Sequence, residues 1–246
     1  MTESRHGGWR GPRVAFLLAL TACAVLIALG TWQLQRHAWK TDLIAAMTTR
    51  LAMAPTPIGE LVAGQEAIDF HPVRATGILR HDQEMYLAAR SYQSQLGYHV
   101  VTPLELADGS MTVLVDRGWV PEDHRAPARR AAGQLPGVVS ITGIARQPAK
   151  SSVFTPDNRP DQNQWYWADL PAMAAHAGVA RAAPLLIEAG PANNPGGLPI
   201  GGQTRVTLPN DHLQYAITWY ALALALAVIY LVSRRRAAAD ATSMFR

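Results

Sequence analysis

The chain has 246 residues, of which 49% are apolar and 16% charged, with a formal net charge of +4, a balance that suits one folded domain joined to short membrane segments. The positive charge does not point to nucleic acid, because the arginines are not gathered in one helix or stripe and several instead flank two apolar spans. A single cysteine, Cys23, excludes an internal disulfide framework, a four-cysteine zinc site and a two-cysteine redox or copper pair, and the missing Cys-x-x-Cys-His motif excludes covalent c-type haem.

Val14 to Leu29 carries no charge, and continuing it to Trp32 gives about 28 Å of helix, enough to cross a bilayer. Leu20-Thr21-Ala22-Cys23 loosely resembles a lipoprotein cleavage box, but the chain stays apolar after Cys23, which favours a retained anchor over a cleaved signal. The anchor is expected to continue as an amphipathic helix from Thr31 to about Leu51, stopped by Pro55-Thr56-Pro57. Strands are then predicted over His71 to Leu79, Glu84 to Arg90, Tyr98 to Leu104, Met111 to Val120, Val138 to Ala145 and Leu185 to Ala189, interrupted by one helix, Leu170 to Ala177. Short strands at this spacing predict a mainly antiparallel barrel-like or sandwich domain. A second apolar span, Tyr215 to Val232, ends at Arg234, Arg235 and Arg236.

The expected organisation is therefore α+β: a tail over 1–13, a transmembrane helix over 14–32, a β-rich domain over 33–208, an interfacial start and second transmembrane helix over 209–233, and a tail over 234–246. Basic residues before the first span (Arg5, Arg10, Arg13) and after the second place both termini in the cytoplasm and the central domain outside, as in a bacterial inner-membrane protein with a periplasmic domain.

Catalytic patterns are weak, and no enzyme is expected. His81-Asp82-Gln83-Glu84 places metal-ligand types together but reads as a polar hairpin turn. No P-loop, dinucleotide fingerprint or nucleophile elbow is present. Asp116-Arg117-Gly118-Trp119 reads as a charged pair beside a turn glycine, and Trp165-Tyr166-Trp167 as one core ring with neighbours on an outer platform. His212 stands out because it falls where a polar loop meets the second span, with Asn210 as expected N-cap. Positions 212, 215, 216 and 219 share a helical face, so Tyr215, Ala216 and Trp219 lie beside or below the histidine. An interfacial aromatic belt and an iron-ligating histidine explain that pattern equally well.

Several blocks resemble the surfeit-locus cytochrome c oxidase assembly family. They are Leu29 to Arg36 (LGTWQLQR) with Trp39-Lys40, Pro72 to Gly77 (PVRATG), Gly97 to Pro103 (GYHVVTP), Val115 to Pro121 (VDRGWVP), Pro199 to Arg205 (PIGGQTR) and Asn210 to Tyr220 (NDHLQYAITWY). The resemblance implies a membrane protein that binds haem a transiently and helps deliver it to subunit I of a haem-copper oxidase, with haem a synthase as a further partner. It also implies His212 as the iron ligand. Tyr215 and Trp219 are then expected to flank the porphyrin, with Arg36, Lys40 and Arg205 near its propionates. His37 is a weaker second axial ligand. The alternative is a scaffold that stabilises subunit I during cofactor insertion without ligating haem.

Overall fold

The computed structural model describes residues 11–64, 68–148, 151–204 and 208–243. The chain forms two compact units: Met47–Val206, and the two terminal segments Met1–Ala46 and Thr207–Arg246 together.

In the central unit the alternation read from the sequence becomes a mixed eight-stranded sheet. The strands are β1 (Thr56–Pro57), β2 (His71–Leu79), β3 (Met85–Tyr92), β4 (Gln95–Leu106), β5 (Thr112–Pro121), β6 (Val138–Arg146), β7 (Gln164–Trp165) and β8 (Ala182–Ala189). They lie in the order β1-β2-β6-β8-β5-β4-β3-β7, and β2 also pairs with β4, so β2, β6, β8, β5 and β4 close into a ring. Gly77 permits that closure, because a Cβ there would lie 2.1 Å from the Glu105 carbonyl oxygen on β4.

The barrel-like arrangement is thus realised and the sandwich is not. Most ladders are antiparallel, but β5 and β8 run parallel, as do the short pairings of β1 with β2 and β3 with β7. The expected strands appear with bounds moved by no more than a few residues, and the helix between β7 and β8 is Leu170–His176. That helix, α3, follows Ile58–Ala63, α2, and is capped by the Asp169 carboxylate, which accepts from the Ala172 amide.

Period-2 alternation sends Val73, Ala75 and Leu79 of β2, Val113 and Val115 of β5, and Leu185 and Ile187 of β8 to one core, which Ile58 and Leu61 of α2 also join. The other face of β5 is buried as well. Leu114 joins Met85, Leu87, Val101, Leu186 and Trp165 beneath Met173 of α3. Of the three rings in Trp165-Tyr166-Trp167, Trp165 is the core one, fully buried, while Tyr166 and Trp167 remain half-buried beside it.

Asp116 and Arg117 do not pair with each other, because successive strand residues face opposite ways. Arg117 is buried and lies 3.6 Å from the Glu84 carboxylate, and its other terminal nitrogen donates to the Gly133 carbonyl at 2.6 Å. Arg130, also buried, donates through both terminal nitrogens to the same carboxylate. The His81–Gln83 segment is accordingly a 3-10 turn that delivers Glu84 to two arginines, and not a hairpin, since β2 does not pair with β3. Gly118 follows with φ of 114°, and a Cβ there would stand 1.9 Å from the Ile200 carbonyl oxygen. That close approach lets Trp119 and Ile200 exchange backbone hydrogen bonds of 2.9 and 2.8 Å.

Burial alone would push the Glu84 carboxyl up. Hydrogen bonds from His81 and Arg130 and the charges of Arg130 and Arg117 outweigh it and hold Glu84 at about 2. A carboxyl depressed from 4.5 contributes stability that is whole above that value and is lost as the pH falls towards about 2. Glu84→Gln, which leaves two buried arginines unneutralised, is expected to cost about 3–5 kcal/mol at neutral pH. It should also flatten the pH dependence of tryptophan-monitored unfolding across that acid window.

Candidate functional site

The two long helices, α1 (Gly11–Leu51) and α4 (His212–Ser243), are each long and apolar enough to cross a membrane. The predicted continuation of the first anchor to Leu51 holds, with Pro55 just beyond its end. Most apolar side chains on both helices stand exposed, with Leu18 at 66% and Leu224 at 67%.

Among the less exposed positions on α1, Ala19, Cys23, Leu26, Gly30, Gln33 and His37 step alternately by four and three, with Leu29 beside them. On α4 the corresponding set is His212, Ala216, Trp219, Ala223, Leu226 and Tyr230, with Tyr220 and Ala227 packed beside it. That 3.5-residue period is the seam of a helix pair, and the contacts run antiparallel along it. Phe16 meets Tyr230 with ring centroids 6.1 Å apart, Cys23 Sγ lies 3.7 Å from the Ala223 carbonyl oxygen, and Thr31 Oγ1 lies 3.0 Å from the Tyr220 hydroxyl. Gly30 makes room for the Tyr220 ring, which would come within 2.9 Å of a Cβ at that position.

At the far end of the seam His212 meets Gln33. His212 Nδ1 and Gln33 Oε1 are 2.7 Å apart, and because an amide oxygen only accepts, the imidazole donates from Nδ1. This leaves Nε2 as the lone-pair nitrogen, and it makes no hydrogen bond among the described residues. Asn210 does not cap α4, as the sequence suggested. Its amide nitrogen reaches α1, donating to the His37 carbonyl at 3.3 Å and to Thr41 Oγ1 at 3.2 Å. Two helices that share few apolar contacts are thus joined at one end by a polar cluster.

The predicted site residues do not all converge. His212 and Trp219 lie on the seam with Ala216 buried between them, but Tyr215 is 54% exposed and turned off it. The packed ring is Tyr220, because the seam continues from 212 by a step of four to Ala216, which places 215 on its flank. Arg36 is exposed and stacks over Trp39 of its own helix at 4.3 Å, and Lys40 is half-buried one turn further on. Arg205 lies outside the described residues, as do Arg5 and Arg10. His37 sits on the α1 seam with Nδ1 buried and without a hydrogen-bond partner among the described residues. Gln33 carries no local signal of its role, since its partner stands 179 positions away.

A second concentration of polar groups lies in the central unit, where a cleft of about 640 Å³ opens on the outer face of β3, β4, β5 and β8. Leu87 and Leu186 line it, with Tyr166 and Trp167 also facing it. Asp116 accepts from His99 Nδ1 at 2.7 Å and from the Gly118 amide at 3.0 Å, and Glu188 lies alongside in register with Asp116. A histidine in the otherwise apolar GYHVVTP strand was the available signal for this dyad.

The seam predicts a cross-link. Ala223→Cys should form a disulfide with the native Cys23 on mild oxidation, whereas Val228→Cys, at a position 49% exposed, should not. A non-reducing gel separates the two outcomes, and equal cross-linking of both variants would contradict the helix pairing.

The sequence pattern of the SURF1 family matches residues 20–224, a stretch that includes Gln33, the whole central unit and His212. A SURF1-like protein of Monosiga brevicollis is 38% identical over 228 residues, covering 88% of this chain and 86% of the relative. Surfeit locus protein 1 of Mus musculus is 38% identical over 229 residues, covering 87% of this chain and 73% of the relative. The Homo sapiens protein of that name is 37% identical over 232 residues, with coverage of 88% and 75%.

Proposed function

This chain belongs to the SURF1 family, and on that premise we propose that it is a cytochrome c oxidase assembly factor that carries haem a to subunit I of the haem-copper enzyme. Haem a is the cargo, a flat apolar macrocycle whose iron takes an axial nitrogen and whose propionates are anionic.

The observation that carries this reading is the hydrogen bond from His212 Nδ1 to Gln33 Oε1. A metal-ligating imidazole is characteristically held by its second nitrogen, which fixes the tautomer and leaves the first free to ligate. Gln33 does this for His212 across the helix pair. Ala216, small and buried one turn below, and Trp219, half-buried below that, offer an apolar flank to the macrocycle. Lys40 and Arg36 supply the cations for propionates, together with Arg205. A carrier must also release its cargo, and one imidazole ligand dissociates more readily than two.

The setting we propose is the bacterial inner membrane, with both termini cytoplasmic and the central domain periplasmic. Exposed apolar side chains along α1 and α4 need a hydrocarbon environment, and Arg13 and Arg234 to Arg236 lie at the ends expected to face the cytoplasm.

Full-length protein purified in detergent from cells that synthesise haem a tests the proposal. Wild type is expected to carry haem a by its visible spectrum. His212→Ala is expected to lose it at equal folded yield, and Gln33→Leu to bind it about 10–100-fold more weakly. Undiminished pigment in His212→Ala would remove the histidine from the site. A colourless wild type with haem a available would favour a scaffold that never ligates it.

A further inference from the structure

The cleft on the outer face of the barrel takes no part in the function proposed above, and its polar groups divide by whether the fold already uses them. Asp116 is engaged by His99 and by the Gly118 amide. The arginines are engaged in the walls. Arg146 pairs with Asp69 at 3.0 Å and stacks over Phe70 at 4.0 Å, and Arg90 donates to the carbonyls of Ala88 and Tyr166, each at 3.4 Å.

Glu188 differs. It lines the cleft, yet its Oε2 is closed off from water and has no hydrogen-bond partner among the described residues. Burial pushes its carboxyl above the ordinary range and the Asp116 charge adds to this, against a hydrogen bond from the Thr204 side chain and the charges of Arg146 and His99. His99 is committed through Nδ1 to the Asp116 carboxylate. The cations of this cleft are therefore committed to protein partners, while a Glu188 carboxylate oxygen is left over. Tyr166 and Trp167 add ring surface suited to a cationic group or its alkyl stem.

We propose that this cleft binds an alkyl ammonium or guanidinium group, with the Glu188 and Asp116 carboxylates as its acceptors and Tyr166 and Trp167 along its stem. A volume of about 640 Å³ admits either a free small amine or a lysine or arginine side chain with its flanking backbone. The other charged groups that line the cleft are Asp116, His99, Arg90 and Arg146. A bound cation favours the ionised form of Glu188, so binding weakens as the pH falls through the raised titration of that carboxyl.

Calorimetric titration of the full-length protein at neutral pH tests this with Nα-acetyl-lysine methylamide, its uncharged norleucine counterpart and n-butylammonium. The lysine probe is expected to bind at least about tenfold more tightly than norleucine, and Glu188→Gln to weaken it by about tenfold or more while removing its dependence on acid pH. Ser91→Trp, an exposed substitution at the edge of the cleft, should weaken it as well by occupying the space. A lysine probe tighter than n-butylammonium identifies a polypeptide as the source of the cation, and equal affinities identify a free amine. Equal binding of lysine and norleucine, no binding of either cation, or unchanged lysine affinity in both folded variants would overturn the proposal. None of these outcomes depends on His212.

Discussion

A buried carboxylate between two buried arginines sets the terms for the central domain. Glu84, Arg117 and Arg130 come from the entry to β3, from β5 and from the segment after β5, and none of them could be left in the interior alone without a cost of several kcal/mol. Their ion pairing fixes the end of β5. Because β5 is pleated, locking Arg117 to one side commits Asp116 to the other, where it holds His99 and forms part of a polar cleft. Gly118 then allows the Ile200 segment to approach the strand more closely than any side chain would permit. Four consecutive residues of one motif thus serve a buried ion cluster, a cleft, a backbone contact and a packed indole.

The helix pair obeys a different constraint. Its seam is narrow and mixes small residues with rings and polar side chains, and the outer faces of the helices remain uncovered. Directional contacts carry more of the specificity. Gly30 against Tyr220 sets how closely the helices approach, and the hydrogen bonds from Asn210 and His212 to α1 fix one end. A histidine held in this way presents its remaining nitrogen in a defined direction, as a ligand requires.

Much of this was legible in the sequence. Strands from His71, Met111 and Val138 announced themselves by alternation and turn residues, and the long first helix by its lack of breakers before Pro55. The two-residue strands β1 and β7 carry too little pattern to be read, and the parallel pairing of β5 with β8 depends on a path that no local signal encodes. At the site, His212 and Trp219 followed from helical spacing, but that spacing admits steps of three and four alike. Packing against Gly30 and Gln33 selected the set containing Ala216 and Tyr220 and excluded Tyr215. Gln33 and the His99–Asp116 pair were missed because their partners are distant in the chain or appear as ordinary strand residues.

In the proposed function, Gln33 holds His212 so that its free nitrogen ligates the iron of haem a. Resonance Raman spectroscopy of the reduced, haem-loaded protein tests it through the iron–histidine stretch. The band is expected in wild type, at a shifted frequency in Gln33→Leu where the hydrogen bond to the imidazole is gone, and nowhere in any pigment that His212→Ala retains. An unshifted band in Gln33→Leu, or the wild-type band persisting in His212→Ala, would contradict it.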